Sequence, residues 1–360
     1  MEKEVFDKKS LIRTSGALIA WVIGSGFATG QEILQFFSSY GYFSFGIIVI
    51  NFIGFLILGY LLMRTGFENR DIKNFNHFKY FCGNKLGTSY TFLITGTLIL
   101  LMPVLVSGAG ATLYEYYGLN KYIGSAIMAI LMLIAYLIGF ERLVRIIAPI
   151  GPIIIVFSIL VGIITLISDF DYFNDIPTYG ETLLPYQSAP SWFLSAFLYL
   201  GLNFFPGSTY FTQIGVTAKS KEDLKYGTLL GVVLLMLSIT IMSTAILLNG
   251  DTIAGLDIPV LYLARKISYI LGAIFSITLI LGIFSSCSAM MWSVCSRFHF
   301  GGRRGNALIA IGIAMMTFII SMFSFSELVG VLYPIVGYVG LFFIGCVLYK
   351  GLSIKRKLRT

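Results

Sequence analysis

Along this chain the apolar residues do not alternate with polar ones, as half-buried strands require, but run in blocks of about 20 separated by short charged or Gly/Pro-rich breaks. The blocks fall near 11–37, 41–66, 88–117, 122–140, 144–168, 192–217, 227–249, 267–297, 307–323 and 328–349. Each is long enough to cross a bilayer core roughly 30 Å thick as a helix. The pattern therefore predicts an all-α polytopic membrane protein with ten transmembrane helices.

Two of these blocks are interrupted. The first reads Gly24-Ser25-Gly26-Phe27-Ala28-Thr29-Gly30-Gln31-Glu32, and each of its glycines weakens a helix by about 1 kcal/mol relative to alanine. The sixth reads Gly201-Leu202-Asn203-Phe204-Phe205-Pro206-Gly207, and both contain Gly-x-x-Phe-x-x-Gly about half a chain apart. Each copy opens a five-span half: repeat one covers about 11–168, repeat two about 192–349, and 350–360 is a basic tail. Five is odd, so the second half enters the membrane from the opposite side and the repeat is inverted. Interrupted helices at matching places in inverted repeats point to the binding site of a secondary transporter. Unwound backbone is tolerated at membrane depth only around an enclosed cavity, where freed N–H groups attract anions and freed C=O groups attract cations. On this reading Gly24, Ser25, Gly26, Phe27 and Gly201 line the substrate site, Asn203 supplies a hydrogen bond and Phe204 an apolar wall. Glycine-mediated close packing of helices is the alternative.

Composition and charge narrow the class. The 360 residues are 57% hydrophobic and 12% charged, with a mean hydropathy of +0.87, values that exclude a soluble globular domain. The net charge of +8 lies between spans rather than on one clustered face, so nucleic acid is not an expected partner. With the N-terminus placed in the cytoplasm, 22 Lys and Arg fall on the inner side and 3 on the outer. That is a strong positive-inside pattern, predicting a multi-pass protein of the cell (inner or plasma) membrane with both termini cytoplasmic. The first apolar block is too long for a signal peptide and is taken as a retained helix.

Few residues offer chemistry. Cys82, Cys287, Cys295 and Cys346 have no metal-ligand spacing and are expected to be unpaired thiols. His77 and His299 stand beside charged loop residues and are expected to be solvated. There is no intramembrane Asp pair, His-Glu metal set or Ser-His arrangement, so an enzyme is not expected, and no nucleotide-binding loop for ATP-driven transport. Glu32 is the acid of most interest, because a carboxylate inside a span costs about 2.5–3.5 kcal/mol on insertion scales and is by default functional. Three roles are open to it: binding a substrate ammonium, carrying a coupling proton, or capping the outer half-helix. Gln31, about 100° around a helix from it, shares its pocket only if the helix is open there. Glu115 and Glu327 sit at outer helix ends and are expected to be solvated, with Glu327 a weaker gate candidate. Tyr114, Tyr116 and Tyr117 are expected in an interfacial belt.

The run GSGFATGQEILQFF is similar to one in the YkvI-like bacterial membrane proteins, and the interrupted helices on a five-plus-five core resemble the LeuT-fold group of the amino acid, polyamine and organocation transporter superfamily. The resemblance covers nearly the whole chain. It implies a sodium ion between the break in helix 1 and the middle of helix 8, where a small residue precedes two adjacent hydroxyls. The corresponding ligands are the carbonyls of Ala20 and Ile23 with Gly282, Ser285 and Ser286, an oxygen set suited to a hard cation. Serine pairs also bond their own backbone in membrane helices. Thr29-Gly30-Gln31-Glu32 stands where sodium-coupled relatives often carry an outer-gate arginine, which puts that gate in doubt. The expectation is a secondary active transporter of a small organic solute, an amino acid or related amine, coupled to sodium or protons. No cofactor is expected unless sodium binds. Solute and bilayer are the expected partners, and the oligomeric state is open. The alternative is a membrane ligand sensor that keeps the transporter fold without net transport.

Overall fold

The first apolar block is divided in the computed structural model, which describes residues 8–138, 150–298 and 302–357, and every regular element among them is helical. That block forms α1 (Lys8–Val22), α2 (Ser25–Thr29) and α3 (Gln31–Phe36). The first half continues with α4 (Phe43–Glu68), α5 (His77–Tyr117), α6 (Lys121–Ile138) and α7 (Ile150–Ser168). The short helix α8 (Ile176–Leu183) leads to α9 (Trp192–Val216) and α10 (Lys221–Leu247). Two short helices, α11 (Gly250–Ile253) and α12 (Pro259–Ile267), precede α13 (Tyr269–Cys295), α14 (Gly302–Ile320) and α15 (Phe325–Lys357).

Among the described residues, 6 helices are long and apolar enough to cross a membrane: α4, α5, α6, α10, α13 and the Phe325–Gly351 part of α15. Side chains such as Ile53, Phe92, Ile134, Ile274, Leu308 and Phe342 are exposed on the outside of the bundle, while Asn51, Gln31 and Glu32 lie within it. That inversion of the soluble pattern is what hydrocarbon as solvent demands. Capping follows local chemistry: Ser191 and Ser220 accept the backbone N–H groups of Leu194 and Asp223 at the starts of α9 and α10.

Three expectations change. First, α9 runs unbroken through Pro206, so the predicted interruption of helix 6 is absent. Its glycines serve packing instead. A Cβ on Gly201 would lie 2.2 Å from the Gly337 carbonyl oxygen of α15, and one on Gly207 would lie 2.5 Å from the Trp21 indole nitrogen of α1. Second, α5 begins well before residue 88 and is kinked at Gly83 (φ 76°, ψ 176°). Third, the 77–82 piece packs under the bundle, so that His77 is buried and its Nε2 lies 3.0 Å from Ser208 Oγ of α9; it is no solvated loop histidine. His299 lies outside the described residues.

The helices pair across the halves. α4 packs along α9, α1 along α10, α5 against α13 and α15, and α7 against α13.

Candidate functional site

The break in the first block has a local cause at each glycine. α1 ends at Val22, Gly24 is extended (φ −96°, ψ −166°), and Gly30 is left-handed at φ 86°, a conformation open to glycine at little cost. A side chain at Gly30 would also meet α12, since its Cβ would fall 2.6 Å from Val260. Thr29 Oγ1 donates to the Gly26 carbonyl at 2.6 Å and accepts the Gln31 N–H at 3.3 Å, which replaces part of the lost helical bonding. α2 touches α13, α12, α7 and α5.

Just past the break, Glu32 is 7% exposed. A Cβ on Gly26 would lie 2.8 Å from Glu32 Oε2 and 2.9 Å from the Tyr333 hydroxyl, so α2, α3 and α15 meet at one carboxylate. Tyr199 of α9 is fully buried beside Glu32 and Asn203, yet its hydroxyl forms no well-shaped hydrogen bond among the described residues. Ion pairs among the described residues join Arg64 and Lys221 to Glu68 and Lys266 to Asp169, and none involves Glu32. Next to it, Gln31 is completely buried, and neither its amide nitrogen nor its oxygen has a partner among the described residues. Orphaned buried polar groups are rare enough that each needs an explanation.

Of the residues expected at the site, Gly26, Gln31, Glu32 and Asn203 gather around this carboxylate or beside it. Asn203 bonds the Tyr199 carbonyl through Nδ2. Gly24 borders open space, with nothing among the described residues beyond its chain neighbours within 4 Å of the place a Cβ would take. Phe27 is fully buried, and the side chain of Ser25 lies outside the described residues. Gly201 is spent on packing, and Phe204 points into a ring cluster with Phe55 (4.7 Å) and Phe211 (5.1 Å); it is core, because it stands about 100° around the helix from Asn203. Ala20 is exposed, Ile23 is buried, and Ser285 and Ser286 are half-buried on α13. Gly282 faces Ile154 of α7.

Tyr199 and Tyr333 were not among the residues expected. Tyr199 stands four positions before Asn203 and so shares its helical face, a periodic signal that was available. Nothing in the sequence marked Tyr333, on the last helix.

The outer end is tied by a hydrogen-bonded relay that also overturns an expectation. Glu115 is not a solvated acid: its Oε1 accepts the N–H groups of Asp257 and Ile258 at 2.6 and 3.2 Å, where α12 begins. Helix starts present such unpaired donors. Asp257 Oδ1 accepts the Ser326 N–H at 2.8 Å, and Gln35 Nε2 donates to the Ser326 carbonyl at 2.9 Å. Burial raises the Asp257 carboxyl above the ordinary aspartate range, against the Ser326 N–H, which favours the anion. Glu327 bonds locally to the Ser324 N–H. Tyr116 and Tyr117 reach α13, at the Tyr269 carbonyl and the Ser276 hydroxyl, while Tyr114 is the most exposed of the three.

Among solved structures the chain is similar to Mhp1 in its inward-facing conformation, with a TM-score of 0.62 at 12% identity over 96% of this chain and 77% of that one. It is also similar to a manganese transporter of Eremococcus coleocola, with a TM-score of 0.53 at 14% identity over 95% and 78%. The fold is that of the LeuT-type transporters, and the chain is a multi-pass membrane protein. In sequence it is similar to the uncharacterized membrane protein YkvI of Bacillus subtilis, at 26% identity over 355 residues, spanning 98% of this chain and 99% of that one. It is 22% identical over 342 residues to the uncharacterized protein YyaD of the same organism. No protein-family model matches it.

Proposed function

We propose that this chain is a secondary active transporter that moves a small organic solute by alternating access, its ten spans forming two inverted halves of five. The observation that carries the reading is the broken first helix set against Glu32, a buried carboxylate without an ion-pair partner among the described residues, ringed by Tyr199, Tyr333 and the Gly26 backbone. A buried carboxylate beside two tyrosines suits an ammonium group, so an amino acid or related amine is the substrate class.

The helix pairing supports the inverted repeat. Exchanging the halves turns the α1·α10 contact into α9·α4, and the α5·α15 contact into α13·α7. One pair is unequal: α9 lies backbone to backbone on α15 at Gly201, Gly337 and Gly340, whereas among the described residues α1 scarcely touches α7, which is described from Ile150 on. Along α1, Ile12, Gly16 and Ala20 are exposed at successive turns, and among the described residues no other element approaches a side-chain position at Gly16 or Gly24 within 4 Å. In an inverted repeat such inequality corresponds to one side closed and the other open, here towards the end that holds the basic loops and, by the positive-inside rule, the cytoplasm.

Coupling by sodium would use the Ala20 and Ile23 carbonyls with Gly282, Ser285 and Ser286; the support is that α2 touches α13. Coupling by protons would use Glu32. No group of three or more His, Cys, Asp or Glu converges among the described residues, so the manganese of the second neighbour is not part of the proposal.

The test is thermal unfolding of the purified chain against amino acids, amines and organic acids, each with sodium or potassium and at two pH values, followed by counterflow in vesicles. A ligand held only by the native state adds about 2.7 kcal/mol at a hundredfold excess over its Kd. Glu32→Gln is expected to abolish both the shift and counterflow while the protein still folds. Unchanged counterflow in Glu32→Gln would refute the assignment of the site.

A further inference from the structure

At the end of the bundle that carries the basic loops, α4, α10 and α15 part and leave a cleft of about 700 Å3. Its floor is apolar, from Leu56, Leu61, Leu229 and Leu348, and Leu229 is 43% exposed. Its rim is charged. Arg64 and Lys225 line it together with Glu68. Arg64 donates to Glu68 Oε1 through Nε at 2.8 Å, which leaves its two terminal nitrogens outside that bond, and Lys221 reaches the same oxygen at 3.1 Å. Two cations thus share one carboxylate and Lys225 adds a third positive charge to the same lining, an excess of positive charge at the mouth of an apolar groove.

Phe81 lines both this cleft and a neighbouring one of about 930 Å3 on the other side of α15, whose lining includes Lys79 and Lys350. The positive rim therefore continues around the end of the last helix. The two parts of the cleft demand different things of an occupant. A soluble anion satisfies the rim and leaves the floor bare. An uncharged hydrocarbon does the reverse. Basic pockets between helices on the side of the positive loops are suited to anionic headgroups, with acyl chains extending along the helices.

We propose that the cleft between α4, α10 and α15 is a binding site for an anionic phospholipid, its phosphate on Arg64 and Lys225 and an acyl chain along Leu61 and Leu229. The site is separate from the broken helix and does not depend on what the chain transports.

The test titrates the purified full-length chain in detergent with phosphatidylglycerol, with phosphatidylethanolamine of the same acyl chains, and with inorganic phosphate, reading retained lipid by native mass spectrometry and stability by thermal unfolding. Phosphatidylglycerol is expected to be retained and to stabilise, phosphatidylethanolamine to be retained weakly, and phosphate to do neither. The double variant Arg64→Gln/Lys225→Gln is expected to weaken phosphatidylglycerol about thirtyfold, at about fivefold for each basic group. Leu229→Trp keeps both charges and fills the groove, and is also expected to lose the lipid. Lys121→Gln, at the opposite end, is expected to bind like the parent. Equal retention of the two lipids, a shift reproduced by phosphate alone, or an unaltered double variant would overturn the proposal. If the double variant does not fold, Leu229→Trp decides, and unaltered retention by it overturns the proposal too.

Discussion

Glu32 and Gly30 work as a pair at the residue scale. Gly30 turns the chain through φ 86° where a side chain would strike Val260, and the turn sets Glu32 against Tyr333 and the Gly26 backbone. Either residue alone would read as a packing glycine or a helix-end acid. Ser285 and Ser286 are the other pair to test at this scale. If they hold sodium, Ser285→Ala/Ser286→Ala removes two oxygen ligands, and the sodium-dependent part of solute stabilisation disappears while a potassium baseline is unchanged. If the double variant keeps its sodium response, the serines only bond backbone, and coupling through Glu32 is favoured.

At the scale of elements, α9 shows why a Gly-x-x-Phe-x-x-Gly run does not by itself break a helix. Pro206 is accommodated, and the flanking glycines let α15 and Trp21 approach the backbone. Gly201→Ala would place a methyl group 2.2 Å from the Gly337 oxygen, so thermal unfolding is expected to show a loss of about 1–3 kcal/mol from overpacking. Gly96→Ala on α5, with nothing within 4 Å, is the control and is expected to be neutral or slightly stabilising. Equal stability of the two variants would mean that α9 and α15 are not in close contact.

For the whole molecule, the inequality between α9·α15 and α1·α7 predicts a sidedness. In a variant without its native cysteines, Ala20→Cys is expected to react with a membrane-impermeant thiol reagent added to the cytoplasmic face, and a bound solute to change that rate. The outer relay of Glu115, Asp257, Ser326 and Gln35 is expected to keep the same cysteine unreactive from outside. Labelling from the outer face alone would reverse the orientation.

The sequence by itself determined that the chain is a bundle of apolar helices, because hydrocarbon leaves the backbone no other way to satisfy its hydrogen bonds. It also marked the break at Gly24 to Gly30 and singled out Glu32, since a carboxylate inside an apolar block is conspicuous. Only the tertiary structure decided that the glycines of α9 are contact points, that His77 and Glu115 are bonded rather than solvated, and that Tyr199 and Tyr333 stand beside Glu32. The reason is physical: a single-chain pattern records burial along one helix, whereas which neighbour fills the space beside a glycine, or satisfies a donor, depends on helices far away in sequence.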